Sequence, residues 1–454
     1  MTGAERDIPV EKGDGNDSYE SDDSGDEAGG EDSIQLGIVV PLEVPQEELL
    51  FRTSDWHSWD GGKAGGWPVW LNPRDIPSPE SLRCGECNHP LSFLIQLYCP
   101  LDHEDSAFHR CLYVFCCPKG SCSSHSSARV LRCQLPRNNL FYAWEPDDEE
   151  EELHPGHGNP EDWGVSLCWV CGMAAKSSCG RCGKARYCSR EHQTAHWKRG
   201  GHKEVCATEA KRAETPTEGE GGAAGEGREG VPAFGPQGKP TGLVFREFEV
   251  EVKPEEWGGM GGGEAVKDRA EERRIAEQLG MASLSLGDEG EEEDSNLSQA
   301  ELDKIAGVHG TKDKATLKFM ARTHGRGQVV RYDPGRSSPL WSSSKGVPTH
   351  PGEVPACPQC GLHRKFEFQQ VMPHLLHHLG VETGGKAWDP MLALKQGTAL
   401  PPQHAMDWGT LAIYTCPKSC NPKESMVSCG GKKNVVGGTL PGYVEEFVWR
   451  QPPP

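Results

Sequence analysis

The sequence predicts an α+β, mostly β fold: one domain written twice, at either end of the chain, with a small cysteine-rich finger inserted and long acidic linkers around both. Three observations predict it. A cysteine pattern beginning at Cys84 returns, with its flanking residues, beginning at Cys357. A short block at 168–206 places Cys and His at regular, close spacing. Only 35% of the 454 residues are hydrophobic, against 56 Gly and 35 Pro, so much of the chain cannot contribute to a packed core.

The chain opens on an acidic head, residues 1–33, whose composition predicts disorder. Further spacers are the acidic linker 145–162, "EPDDEEEELHPGHGNPED", the Glu- and Gly-rich stretch 207–241, and most of 254–311. Within the last, "EAVKDRAEERRIAEQLG" and "SQAELDKIAG" have helical composition, the second with Ser298 as its cap. Between the spacers lie three dense blocks: 34–144, 168–206 and 312–451. A strand-like piece at 243–253 alternates Phe248, Val250 and Val252 with Glu247, Glu249 and Glu251, the pattern of a strand buried on one face and joined to a sheet built elsewhere. The third block opens on a helix, "DKATLKFMARTH", with Leu317, Met320 and Ala321 on one face, and returns to strand character at "GQVVRYD".

The formal net charge is −21, from 47 basic and 68 acidic side chains, which favours basic protein partners over phosphate backbones and anionic lipid. The head has neither the basic start nor the apolar run of a signal peptide, and no later segment reaches eighteen consecutive apolar residues, so no membrane partner is expected. The expected compartment is the cytoplasm, with entry into the nucleus left open. In a reducing compartment the nineteen cysteines are not expected to form disulfides, and Cys-x-x-Cys spacing reads as zinc.

The outer blocks align closely. Cys84-x-x-Cys87 is followed by Phe93 and Gln96, and Cys357-x-x-Cys360 by Phe366 and Gln369, at the same offsets. Each block then reaches a strand-like run ending in Cys-Pro-Lys: Leu112, Val114, Phe115 and Cys117 in the first, Leu411, Ile413, Tyr414 and Cys416 in the second. A last cysteine follows each, Cys122 or Cys420, and each copy is preceded by "PVW" (68–70) or "PLW" (339–341). The coincidence of offsets predicts an internal duplication. Each copy supplies four thiolates for one tetrahedral Zn²⁺, a closed structural site with sulfurs about 2.3 Å from the metal. Whether the ligands pair within a half or across halves stays open at this level. Cys99, Cys111, Cys116, Cys133 and Cys429 read as small buried side chains. Metal is needed because each half is short and rich in Gly and Pro turns, with apolar content for only a marginal core.

The middle block, "CWVCGMAAKSSCGRCGKARYCSREHQTAHWKRGGHKEVC", supplies eight ligands for two further zincs: Cys168, Cys171, Cys179, Cys182, Cys188, His192, His202 and Cys206. It resembles a MYND zinc finger, down to "YCS" around the fifth ligand and Trp197 between the sixth and seventh. The resemblance implies interleaved sites, with Cys168, Cys171, Cys188 and His192 on one zinc and Cys179, Cys182, His202 and Cys206 on the other. Many such fingers carry Cys at the sixth position. Here His192 takes it on spacing, with His196 as the competitor. The family's peptide-contacting Gln and Trp match Gln193 and Trp197, so proline-containing peptides are a second class of partner; Trp197 also reads as finger core. The block is locally basic, but without a finger array or recognition helix direct nucleic-acid binding is not expected.

A MYND finger between two cysteine-bearing halves resembles the programmed cell death protein 2 family, whose yeast relatives act in ribosome assembly. The resemblance rests also on "IQLGIV", "GGWPVWL", "CGECNHPLSFLIQLYCP", "FHRCLYVFCCPKGSC", "QVVRYDPGRSSPLW", "CPQCGLHRKFEFQQVMP", "MDWGTLAIYTCPKSC" and "YVEEFVWRQ". It implies a dedicated chaperone that binds a newly made basic ribosomal protein, ribosomal protein S2, and supports small-subunit assembly and rRNA maturation. Trp67 and Trp70 stand as holding residues or as core. The alternative is a nuclear transcriptional adaptor working through the finger. No enzyme is expected: the sequence has no phosphate-binding Gly loop, no Ser/His/Asp pattern and no open three-ligand zinc site. The His-rich "MPHLLHHLG" (372–380) reads as a helix with a Leu face.

Overall fold

The computed structural model describes residues 34–40, 62–101, 103–142, 160–206, 243–245, 247–255, 313–323, 327–334, 338–371, 374–379, 382–383, 386–387, 406–421 and 442–453. The acidic head, residues 145–159, 207–241 and 256–311 of the spacers with their two helical stretches, and Cys429 lie outside these residues; the end of the first linker, Pro160–Trp163, is a short 3-10 helix, and Glu255 is buried.

In chain order the strands are β1 (Gln35–Val40), β2 (Gly62–Ala64), β3 (Ser92–Tyr98), β4 (His109–Cys116) and β5 (Ala128–Leu135), then the finger with β6 (Ser177–Ser178), β7 (Arg186–Tyr187) and helix α1 (Arg190–Lys198). There follow β8 (Phe248–Pro254), α2 (Lys314–Thr323), β9 (Gln328–Tyr332), β10 (Lys365–Val371), α3 (His374–Leu379), β11 (Glu382–Thr383), β12 (Lys386–Ala387), β13 (Thr410–Thr415) and β14 (Val444–Gln451). Ten strands close a single barrel in the order β1-β8-β2-β3-β4-β5-β14-β13-β10-β9. In a closed order every strand has a neighbour on both sides, which limits free sheet edges.

The barrel order shows how the two halves relate. Strands β3, β4 and β5 run as a meander, and β10, β13 and β14 repeat it. Both meanders carry the same β-bulge: the β3–β4 register slips between Phe93 and Ile95, and the β10–β13 register between Phe366 and Phe368. Each lies at the same distance from its Cys-x-x-Cys. The leading strands are exchanged, since β1, ahead of the first half, pairs with β9 of the second, while β8, ahead of the second half, pairs with β2 of the first. β1 and β8 also pair with each other over six residues. Gly37 on β1 allows this closure, because a Cβ there would lie 2.8 Å from Val330 Cβ and 2.9 Å from Val250 Cγ1.

Side chains alternate across the barrel wall as the pleat requires. Inward-facing residues from both halves, among them Ile95, Leu112, Val114, Val250, Phe368, Leu411, Ile413 and Val448, form one shared interior cluster. Outside, the first half packs against the finger around Trp70, Tyr113 and Phe115. The second half carries its own smaller cluster of Val354, Phe366, Ala412, Tyr414 and Trp449. The interior also holds an ion pair. Arg110 on β4 reaches across to Glu367, the bulged residue of β10, with Nη1–Oε1 at 2.5 Å and Nη2–Oε2 at 2.8 Å. Thr415 donates to the same carboxylate, and Tyr332 does so at 3.3 Å.

Phe248 and Val250 are buried as the alternation predicts, but Val252 is 39% exposed. Among the described residues β2 pairs with β8 only at Phe248 and Glu249. α2 forms, with Phe319 and Thr323 buried; the side chains of Leu317, Met320 and Ala321 lie outside the described residues. α3 buries Leu375 and Leu379 against the barrel interior, as its Leu face predicts. Among the described residues no helix is long and apolar enough to cross a membrane.

Candidate metal centres

Four groups of four ligand side chains converge, each with its ligand atoms within 4.8 Å of one another. They are Cys84, Cys87, Cys117 and Cys122; Cys168, Cys171, Cys188 and His192; Cys179, Cys182, His202 and Cys206; and Cys357, Cys360, Cys416 and Cys420. The outer ligands thus gather within each half, not across halves.

Local geometry explains why these residues converge. In each Cys-x-x-Cys knuckle the residue after the second cysteine has positive φ: Asn88 at 55°, Gly172 at 67°, Gly183 at 70° and Gly361 at 73°. Its N–H turns back to donate to the carbonyl of the first cysteine, at 2.8 to 2.9 Å in all four. Only Gly and Asn adopt this left-handed conformation readily. The signal was present in the sequence as a Gly or Asn after every knuckle. The other two ligands of each outer site come from the end of the second meander strand and the turn beyond it, Cys117 and Cys122 after β4, Cys416 and Cys420 after β13.

In the finger, Ser189 caps α1 by accepting from the His192 N–H at 3.2 Å. That capped turn brings the His192 ring back onto Cys188, with Nδ1 3.2 Å from its sulfur and 3.7 Å from Cys168 Sγ. His202 and Cys206 lie four apart on one helical turn, and His202 Nε2 stands 3.7 Å from Cys182 Sγ. The competitor His196 belongs to neither ligand group: its Nδ1 lies 3.0 Å from the Tyr187 hydroxyl and its ring stacks on His202. Burial and the His202 ring push it down to about 4, so it is neutral. His192→Ala is therefore expected to remove one zinc from the purified chain and His196→Asn none, as counted by elemental analysis.

The donor sets fit zinc. A tetrahedron with Zn–S of about 2.3 Å has sulfur–sulfur edges of about 3.8 Å. The sulfurs of Cys87 and Cys117 are 3.7 Å apart, Cys171 and Cys188 3.7 Å, Cys179 and Cys206 3.8 Å, and Cys360 and Cys416 3.6 Å. Every group presents four protein ligands, two all-thiolate and two Cys3His, so the metals would be closed structural centres that hold the fold. The remaining sheet cysteines differ in kind. Burial pushes the Cys99, Cys116 and Cys133 thiols up to about 12 and Cys111 well above its usual range, keeping them neutral.

The finger is docked, not tethered. Trp67 donates its indole N–H to the Val170 carbonyl at 3.0 Å, and Trp70 to the Gly172 carbonyl at 2.9 Å. A Cβ on Gly172 would sit 2.7 Å from the Trp67 ring, so this glycine serves both the knuckle and the interface. Val170, Met173, Ala185 and Tyr187 of the finger share a core with Trp70, Tyr113 and Phe115 of the first half. Trp70 is therefore not a surface for a partner, and Trp67 is committed to the finger. Gln193 and Trp197 lie four apart on α1, both half-buried; Trp197 sits edge-on to His202, 5.8 Å between centroids.

Family models match the three blocks: the programmed cell death protein 2 N-terminal domain over 36–149, the MYND finger over 168–206, and the C-terminal domain of the same family over 313–452. Programmed cell death protein 2 of Mus musculus is 35% identical over 391 residues, covering 86% of this chain and 90% of the relative. The chain belongs to the programmed cell death protein 2 family. The Rattus norvegicus protein of that name is 34% identical over 426 residues, 92% of this chain and 96% of its own. A programmed cell death protein 2-like relative from Mus musculus is 28% identical over 377 residues, 82% and 88%. No solved structure matches the chain.

The arrangement reads as a barrel closed by two sister modules, each with a four-thiolate group that would hold a metal of its own, with the MYND finger packed onto the first.

Proposed function

We propose that the chain is a dedicated chaperone or adaptor that binds a newly made small-subunit ribosomal protein, ribosomal protein S2, and supports small-subunit assembly and rRNA maturation. The observation that carries this reading is the distribution of charge. The whole chain carries −21, yet among the described residues Lys and Arg slightly outnumber Asp and Glu, so the acidic excess belongs to the spacers. Acidic segments tethered to a metal-clamped body suit a basic client whose charge must be screened until rRNA competes for it. The closed four-ligand centres give the metals a structural task and favour a binding protein over an enzyme. The finger's shared core with the first half argues against an autonomous adaptor module. Cytoplasm is the compartment this reading requires for capture of a new chain, with delivery to the nucleus compatible.

Affinity capture from cell extract tests it. The full chain is expected to recover ribosomal protein S2, with recovery falling as ionic strength rises, and Gln193→Ala is expected to recover it equally. Capture of no ribosomal protein contradicts the reading. Loss of capture in Gln193→Ala would move binding to the finger and favour the adaptor.

A further inference from the structure

The last strands of the two meanders carry an arginine at the same place. Arg132 on β5 stands opposite Leu112, and Arg450 on β14 opposite Leu411. Each of these leucines lies five residues before the third cysteine of its own outer site. Both arginines are buried, at 0% and 3% exposure, and each turns toward the metal loop of the other half. Arg132 Nη2 donates to the Cys420 carbonyl at 2.6 Å and Nη1 to the Ser419 carbonyl at 3.4 Å. Ser419, itself at φ 45°, is gripped further by Gln134, whose Nε2 donates to its carbonyl at 3.0 Å. Arg132 Nε is held by Glu446 at 2.8 Å. Arg450 mirrors this on the other side: Nη1 donates to Ser127 Oγ at 2.6 Å and its backbone N–H to His125 Nδ1 at 3.0 Å. The Ser127 carbonyl in turn accepts from the N–H of the ligand Cys117, at 2.8 Å.

We propose that each outer metal site is completed by the opposite half, with Arg132 as a positioning residue for the Cys416–Cys420 loop and Arg450 for the loop that joins Cys122 to β5. The ligands come from one half, but contacts from across the β5–β14 seam reach the carbonyl of Cys420 directly and the N–H of Cys117 through Ser127. That seam pairs only three residues of β5, Val130 to Arg132, so the loop contacts extend a short ladder. Hydrogen bonds to ligand-bearing backbone tune metal retention without touching the metal, and their loss typically costs about 10- to 100-fold in affinity. A lysine in place of Arg132 keeps the charge beside Glu446 but lacks the planar fork that reaches two carbonyls at once.

Zinc release from the full-length chain into excess EDTA, counted over time, tests the proposal. Wild type is expected to release its zinc slowly. Arg132→Lys is expected to release one zinc roughly 10- to 100-fold faster, the other three at the wild-type rate. Cys420→Ser removes the same site, so the fast phase should be absent from the double variant. Wild-type release from Arg132→Lys overturns the proposal, as does acceleration from all four sites together, the mark of general destabilisation. A fast phase persisting in the double variant also overturns it. Cobalt(II) substitution gives a readout independent of Cys420→Ser: Arg132→Lys should perturb tetrathiolate absorption and leave the Cys3His bands of the finger unchanged, and the reverse pattern contradicts it.

Discussion

Stripping all four zincs with a chelator is expected to unfold the barrel and the finger, whereas loss of a single outer zinc leaves the other three sites folded. Apparent binding energies of structural zinc in small fingers are about 10–16 kcal/mol at neutral pH, and because no preformed site exists in the unfolded chain this energy is folding energy. A domain's net stability is only about 5–15 kcal/mol. Each outer site ties a knuckle to the turn beyond the second strand of its meander. The finger's loss uncovers Trp70, Tyr113 and Phe115 of the first half, so damage there spreads to the barrel. Far-UV circular dichroism and tryptophan fluorescence should fall in parallel with zinc release. Native signals that survive removal of all zinc would show that the apolar interior suffices.

Glu367→Gln is expected to destabilise the barrel by about 3–5 kcal/mol, because it leaves Arg110 buried without its counter-charge. Arg110→Met should cost a similar amount, for the mirror reason. The double variant Arg110→Met with Glu367→Leu should be milder than either, since apolar replacement of a whole buried pair removes both desolvation penalties. Denaturant unfolding of wild type, Arg110→Met, Glu367→Leu and the double variant forms the cycle, and additive single effects would contradict a direct coupling. The pair also has a pH signature. Burial works to raise the Glu367 pKa, but the Arg110 guanidinium and the Thr415 hydroxyl outweigh it and hold the carboxyl below its ordinary value. A carboxyl depressed in the folded state contributes stability that is present above its unfolded pKa and lost as pH falls through the folded one. Wild type should therefore lose stability more steeply than Glu367→Gln below the ordinary carboxylate range.

Much of this was legible in the sequence because thiolate ligands at fixed spacing are chemically explicit. The ligand residues, the mostly β class and the matching of the two ends follow from offsets between cysteines and from the residues around Phe93, Gln96, Phe366 and Gln369; the grouping of the finger's ligands followed from its resemblance to MYND fingers, and pairing of the outer ligands within or across halves was left open. The exchange of β1 and β8 was not legible. "FEVEVKP" could be read only as joining a sheet built elsewhere and "QLGIVV" named no partner, because pairing partners are set by the closed barrel, not by either segment. Trp67 and Trp70 could be read as holding residues or as core, because composition cannot show that a finger a hundred residues on offers carbonyls to their indoles. The arginines of the seam were likewise silent, since Arg in a strand is ordinarily solvent-facing and its burial follows from a loop nearly three hundred residues away. Glu367 was hidden by the bulge, which turns it inward where simple alternation around Phe366 and Phe368 would point it elsewhere.

The two ends of the chain, on this account, are sister modules that each bind a metal of their own. Native mass spectrometry of the intact protein measures this most directly. The account predicts a mass increment of four zincs, with Cys84→Ser and Cys357→Ser each lowering the count by one. A wild-type increment of only two, unchanged by either substitution, would mean that the outer thiols are merely buried and would contradict it.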